Sequence, residues 1–410
     1  MPTFFLVLSL LGLAASAATW FPLRRLGFAT PLYFLVAWLR GELALQTIAI
    51  EAVGTVVLAM VGALDRWPGV VGLALTFVSW GFLVATHLRS QGARAEVSAL
   101  ARAHGLEPEL DEVSPFHGLL HPFRMRKEGV RRIKDVAYGA PLPGDKGRRN
   151  LLDVILPEAP GELRPILLQI HGGGWVIGDK REQGLPLMGH LASRGWVCFA
   201  INYRLSPQAT FPDHIVDVKR AIVWIREHAH EYGGDPDFIC VTGGSAGGHL
   251  TALTALSAGD PRFQPGFEEA DTRVAAAVPF YGVYDWLDRA GDRGSQAMTP
   301  FLAKTVLKVA PEDDPALWDA GSPITHISSD APPLLAIQGT HDALVFVEEA
   351  HTLMRALEEK SQAPTLYLEM TGAQHAFDVF HSVRSACAVR AATAFLEKVR
   401  AGVEGQREAS

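Results

Sequence analysis

From Met1 to Leu23 the chain carries no charged side chain, and the apolar run from Phe4 to Phe21 within it is long enough to cross a hydrocarbon core, which takes ~20 helical residues. Two later stretches repeat the pattern. Trp67 to Leu88 holds no Asp, Glu, Lys or Arg, and Leu43 to Leu64 holds only Glu51. Leu26 to Leu39 is apolar but short for a span, so it reads as interfacial, re-entrant or a short fourth helix. Residues 1–88 are therefore expected to form a transmembrane helical region with about three spans, near 4–22, 44–64 and 68–88, turning at Asp65, Arg66, Trp67 and Pro68. Arg24, Arg25, Arg40, Arg89, Arg94 and Arg102 then share one side against Arg66 alone, and an excess of Arg and Lys marks the cytoplasmic face. A cleaved signal peptide ending near Ala15, Ser16 and Ala17 competes for the first run only, and no positive residue precedes that run. Glu51 has no second intramembrane carboxylate or histidine beside it, so it is expected to snorkel or to pair with a neighbouring helix rather than serve transport.

Over all 410 residues the chain is 48% hydrophobic and 20% charged, and its mean hydropathy of +0.14 is high for a soluble protein. Residues 1–88 account for the excess, which leaves ~320 residues, about one large domain. A net charge of -7 argues against a nucleic-acid partner, since phosphate neutralisation needs a basic surface. Cys198, Cys240 and Cys387 are scattered, which suits reduced core thiols and offers neither a metal site nor a redox pair.

Residues 89–132 pass from Arg, Glu, Ala and Leu at helical spacing to Pro115, Pro122 and a basic cluster from Arg124 to Lys134. They are expected to be a linker and part of a cap, the cap being completed by an insertion at about 284–333. From residue 133 to 410, β-rich runs alternate with amphipathic helices. The runs are Lys134–Tyr138, Leu151–Leu156, Ile166–Ile170, Val197–Asn202, Phe238–Thr242, Val274–Phe280, Leu334–Gln338 and Thr365–Glu369. Among the helices, Ile215, Val218, Ile222 and Ile225 recur at helical spacing against charged neighbours. This alternation predicts an α/β fold, a mainly parallel sheet with helices on both faces and its ligand site at the carboxyl ends of the strands.

Four of those strand ends carry chemistry. Gly243-Gly244-Ser245-Ala246-Gly247 lies between the run ending at Thr242 and an apolar helix from Gly248. A serine on a sharp strand-to-helix turn exposes its Oγ, and the flanking glycines avoid collisions with neighbouring backbone. His171-Gly172-Gly173-Gly174-Trp175 follows another strand. Its free backbone N–H groups suit an oxyanion hole shared with Ala246, and no Lys-Ser/Thr pair follows as a phosphate loop requires. His375, after the last strand, is the candidate base, and Asp342, after the strand before it, the candidate acid. The order Ser245, Asp342, His375 is that of α/β-hydrolases. Of the rival carboxylates, Asp378 reads as an amino-terminal helix cap and Glu348 as part of a helix. His171, His249 and His341 read as structural or pocket-lining.

The segments HGGGW, GGSAGGHL, GTHDALV and HAF, with Asn202 to Pro207 between them, resemble the hormone-sensitive-lipase-like branch of α/β-hydrolases, the bacterial carboxylesterases and lipases with an HGGG motif. The resemblance covers about residues 133–400. It implies an α/β-hydrolase fold with a helical cap, Ser245 as nucleophile, Asp342 and His375 as its partners, and Gly172, Gly173 and Ala246 as oxyanion donors. His171, Gly174, Gly243 and Gly247 support those motifs, and Tyr203 and Arg204 fall in an architectural segment. Two departures stand out: Gly244 where the family commonly has Asp, and no Asp-Pro-Leu start to the acid segment.

The expectation is a serine carboxylesterase or lipase held at a membrane, in a bacterial inner membrane with its catalytic domain cytoplasmic. Its substrate is a small-molecule or lipid ester, membrane lipids contact residues 1–88, and neither cofactor nor metal is required. An arylformamidase-like amidase and a non-catalytic hydrolase-fold binding protein are the alternatives.

Overall fold

The aliphatic and β-branched runs fold into a single eight-stranded sheet ordered β1-β2-β4-β3-β5-β6-β7-β8. The computed structural model describes residues 1–24, 26–145, 147–293 and 298–409. Arg25, counted above among the cytoplasmic arginines, and residues 294–297 of the expected cap insertion lie outside the described residues. The strands are β1 (Val130–Ala137), β2 (Leu151–Pro157), β3 (Arg164–Ile170), β4 (Val197–Ile201), β5 (Gly234–Gly244), β6 (Ala276–Phe280), β7 (Leu334–Gly339) and β8 (Thr365–Met370). Only β2 runs against its neighbours β1 and β4; every other pair is parallel.

Side chains alternate across the sheet as a strand's period of two requires. Along β4, Val197, Phe199 and Ile201 enter one core cluster, and Cys198 and Ala200 the other. The first face is covered by α7 (Asp213–His228), α8 (Ala246–Leu256) and α11 (Val347–Lys360), whose Ile222, Leu253 and Leu353 are fully buried. Truncating such a side chain to alanine typically costs about 2–5 kcal/mol. The opposite face is covered by α5 (Ala93–His104), α6 (Leu185–Ser193) and α12 (Val383–Ala409). Short helices α9 (Met298–Phe301) and α10 (Pro315–Ala320) belong to the insertion after β6. All three cysteines are free and buried.

The amino-terminal helices are α1 (Pro2–Ala17), α2 (Thr30–Glu42), α3 (Ala44–Met60) and α4 (Trp67–Ser90). With α5, α4 makes one 38-residue helix, Trp67–His104, the only one among the described residues long and apolar enough by itself to cross a membrane. This differs from three separate spans. α1 has 16 residues, and α2 and α3 together qualify only as a pair bent by 94°. The boundary expected after residue 88 falls inside a continuous helix. Nor does α5 contribute to a cap: Val97 and Leu100 pack in the core cluster with Phe395 of α12. An amphipathic stretch announces a buried face without saying which partner will cover it.

Between α1 and α4 the polar groups point inward. Ser9 meets Thr76 at 3.0 Å, Ser16 meets Ser79 at 2.8 Å and Thr19 meets Thr86 at 2.8 Å, hydroxyl to hydroxyl. Arg40, expected in a loop, instead reaches into this bundle from α2 and pairs with Glu51, whose other oxygen accepts from Trp80 Nε1 at 2.9 Å. Apart from Phe116, Leu120, Phe123, Leu163 and Ile177, every exposed large hydrophobic among the described residues lies between Met1 and Leu88.

Candidate active site

The turn from β5 into α8 places Ser245 at φ 59° and ψ -123°, a backbone conformation that side chains rarely adopt. The surroundings hold it there. Ser245 N–H donates to the Phe280 carbonyl at 3.0 Å, and a Cβ on Gly247 would lie 2.2 Å from the Ile170 carbonyl oxygen. With Gly243 under similar constraint, the elbow can pack between β3 and α8 only with glycine at both positions. Ser245 is half-buried at the amino end of α8, and its Oγ has no hydrogen-bond partner among the described residues. Nucleophile-to-base bonds commonly tighten only around a substrate.

Asp342 and His375 meet at adjacent strand ends. His375 Nδ1 lies 2.7 Å from Asp342 Oδ2, and both side chains are buried. The carboxylate is further held by Gln338 Nε2 at 3.1 Å on Oδ2 and by the N–H groups of Leu344 and Val345, each at 2.8 Å, on Oδ1. Gln374 joins the two loops: its Oε1 accepts the N–H of Ala343 at 2.7 Å and that of His375 at 3.0 Å.

The glycine loop after β3 approaches the elbow closely. A Cβ on Gly172 would stand 2.5 Å from the Gly244 carbonyl oxygen and 3.1 Å from Ser245 Cβ. The Gly172 N–H, however, donates to Gln183 Oε1 at 2.7 Å. Among the described residues, Gly173 N–H has no such acceptor, and Ala246 N–H, first in α8, has none within the helix. Gly174 lies against Phe301 of α9. Behind the loop, Tyr203 Oη donates to the His171 carbonyl at 2.9 Å and its ring stacks on His171 at 4.4 Å. Arg204 grips Asp217 through Nε and Nη2, both at 2.9 Å. These are architectural contacts.

The other histidines serve packing. His249 is buried between Trp175 and Trp286 with Nε2 on the Gly321 carbonyl at 2.7 Å, and burial draws its pKa down to about 3. Burial likewise lowers His171 to about 4. His341 bonds the Thr19 carbonyl and Arg89. Glu348 lies in α11 and pairs with Arg24 at 2.6 Å. Asp378 is not a helix cap: its carboxylate accepts from the Tyr281 hydroxyl. Among the described residues, no three His, Cys, Asp or Glu side chains cluster as metal ligands do.

Three contributors have no motif in the sequence. Gln183 and Gln374 act by accepting backbone N–H groups, Gln183 from Gly172 of the glycine loop and Gln374 from Ala343 and His375. The third is α2: the Phe34 ring makes a T-shaped contact with His375 at 5.9 Å between centroids, and Trp38 packs on Phe380 at 5.3 Å. An apolar helix before the domain gives no sign that it will cover the catalytic edge.

Residues 152–357 match the BD-FAE family model. The chain belongs to the BD-FAE family. This BD-FAE chain is 42% identical to the probable carboxylic ester hydrolase LipM of Mycobacterium tuberculosis over 413 residues, covering 97% of this chain and 93% of LipM. The likeness to LipM thus takes in the amino-terminal helices. Esterase LipQ of the same organism is 46% identical over 281 residues, 68% of this chain and 65% of LipQ. Among solved structures, esterase 2 of Thermogutta terrifontis phosphonylated by sarin is 25% identical with a TM-score of 0.54, covering 66% of this chain and 94% of that one.

Proposed function

We propose that this chain hydrolyses carboxylic esters through an acyl-enzyme on Ser245. The observation that carries this reading is the buried 2.7 Å bond between His375 and Asp342, on loops that follow adjacent parallel strands at the sheet edge bearing Ser245. In the first half-reaction His375 Nε2 takes the Ser245 proton as Oγ attacks the ester carbonyl. The tetrahedral oxyanion is received by Gly173 and Ala246 N–H. Gly172 N–H, already bonded to Gln183, shapes the loop and joins them only if Gln183 yields. His375 then protonates the departing alcohol, the acyl-enzyme remains, and water repeats the steps to release the acid. Asp342 fixes the imidazole tautomer and balances its charge. Membership of the BD-FAE family and the esterase names of LipM and LipQ support the same chemistry.

The helices ahead of the sheet hide hydroxyls and show Leu, Val and Phe outward, the inverse of a water-soluble bundle and the arrangement expected in lipid. We read them as a membrane region with α4 as a span and α2 at its interface, the catalytic domain being cytoplasmic by the excess of arginine near the carboxyl end of α4. The substrate is then a small or lipid ester that meets the site beside Phe34 and Phe301. A fluorophosphonate probe applied to membranes bearing the full chain tests both claims. The adduct is expected on the peptide containing Ser245 and in the membrane fraction; labelling elsewhere contradicts the first claim, and a labelled soluble fraction the second.

A further inference from the structure

His375 has a second polar neighbour besides Asp342. Tyr281, directly after β6, sets its ring 4.5 Å from the imidazole at an interplanar angle of 54°. Its backbone sits at φ 37°, and its N–H is anchored to the Ile337 carbonyl at 2.8 Å. A side chain persists in that region only where its surroundings over-determine it, and such positions gather at active sites. The phenol fills the space beside the nucleophile elbow: a Cβ on Gly244 would lie 2.7 Å from both Cε2 and Oη of Tyr281. Beyond the imidazole, the Tyr281 hydroxyl donates to Asp378 Oδ1, on the same loop as His375. Tyr281 and Asp378 are both buried. Burial, reinforced by the Asp378 charge, pushes the phenol well above its usual range, so it stays a neutral donor. Burial also raises Asp378, against the opposing pull of the Tyr281 bond and of His375.

We infer that Tyr281 and Asp378 form a positioning unit for His375. The phenol is the floor on which the imidazole rests, and the carboxylate behind it is a second negative charge favouring the imidazolium formed when Ser245 gives up its proton. This rests on reading Ser245, His375 and Asp342 as the triad. His341 and Asp342 come from the loop after β7, and Phe34, which is apolar, from α2. Glu42, at the end of α2, faces Asp378 and is paired with Arg384 of α12 at 2.9 Å. With Glu42 paired, the Asp378 carboxylate behind the phenol has the neutral Tyr281 hydroxyl as its only side-chain donor among the described residues.

The sign follows from charge. A negative group near the imidazole stabilises its protonated form, so removing it lets the base free itself at lower pH. The test uses the full chain in detergent with p-nitrophenyl butyrate, measuring kcat and KM from pH 5 to 9 for Asp378→Asn and Tyr281→Phe. In Asp378→Asn the acidic limb of kcat/KM should move down by roughly one pH unit, the size that an opposite charge a few ångströms away commonly produces. Its kcat should fall about tenfold with KM little changed, the loss expected of weakened general-base catalysis. Tyr281→Phe keeps the ring but strands a buried carboxylate, which should take up a proton and move the limb the same way. The double variant should add nothing to Asp378→Asn. Limbs and kcat unchanged from the parent in both single variants would overturn the inference, and if Asp378→Asn does not fold, an unchanged Tyr281→Phe suffices. Failure of the triad itself shows separately, as fluorophosphonate labelling away from Ser245.

Discussion

The indole of Trp38 donates its Nε1–H to the carbonyl of Ala376 at 2.9 Å, tying an amino-terminal helix to the residue that follows His375. Ala376 is itself strained, at φ 60°. The tie has company on the acid side, where His341 Nδ1 meets the Thr19 carbonyl at 3.2 Å and Arg24 meets Glu348. At the end of the His375 loop and the start of α12, Glu42 accepts from Ser382 and Arg384. The segment that carries the chain's excess hydrophobicity is therefore also a clamp on the two loops that carry the acid and the base.

Trp38→Phe retains the ring against Phe380 and loses only the bond to Ala376. A hydrogen bond of about 1 kcal/mol acting on the loop predicts a roughly fivefold lower kcat on p-nitrophenyl butyrate with KM little changed. Steady-state kinetics on the full chain in detergent decides it, and parental kcat would detach α2 from the catalytic machinery.

Gln183 predicts a second effect. Its side chain fixes Gly172 N–H and, through it, the loop carrying Gly173. Gln183→Ala should lower kcat about tenfold, less than the 10²–10³ that follows outright loss of an oxyanion donor. The melting temperature should barely move, because the side chain is only half-buried. An equal loss in the binding of an uncleaved ester analogue would instead place Gln183 in ground-state recognition.

Acid should unfold the protein early. His171, His214 and His249 are buried, and burial holds their pKa values at about 4, 3 and 3. The unfolded chain takes up protons near pH 6.5 while the folded chain does not. Stability is thus fully present above pH 6.5 and lost as pH falls toward 4 and 3, by up to about 1.4 kcal/mol per pH unit for each imidazole. Differential scanning calorimetry from pH 8 to 4.5 should show the melting temperature dropping below pH 6.5, with a shallower slope in His214→Gln. A flat profile across that window contradicts the burial argument.

The eight strands and the turn bearing Ser245 were legible because they are local: β-rich runs, glycines and a short helix all lie within a few residues of each other. What escaped the sequence is what depends on distant packing. Asp378 reads as a helix cap by position, yet α12 begins only at Val383 and the carboxylate instead meets Tyr281, 97 residues earlier. Gly244 reads as a departure from a family pattern, and its reason is that same Tyr281 ring, invisible until β6 is set beside β5. Residues 89–132 show a clear amphipathic face, but the sheet face beneath α12 and the space over the site offer the same apolar invitation. Only the fold chooses between them.

The most direct measurement compares the full-length protein with Ser245→Ala for hydrolysis of p-nitrophenyl butyrate, both folded by their melting temperatures. Ser245→Ala is expected to lose acyl-enzyme formation and to fall by at least about 10⁴-fold, toward what oxyanion donors and binding alone sustain. A Ser245→Ala protein that turns the ester over at the parental rate would contradict it.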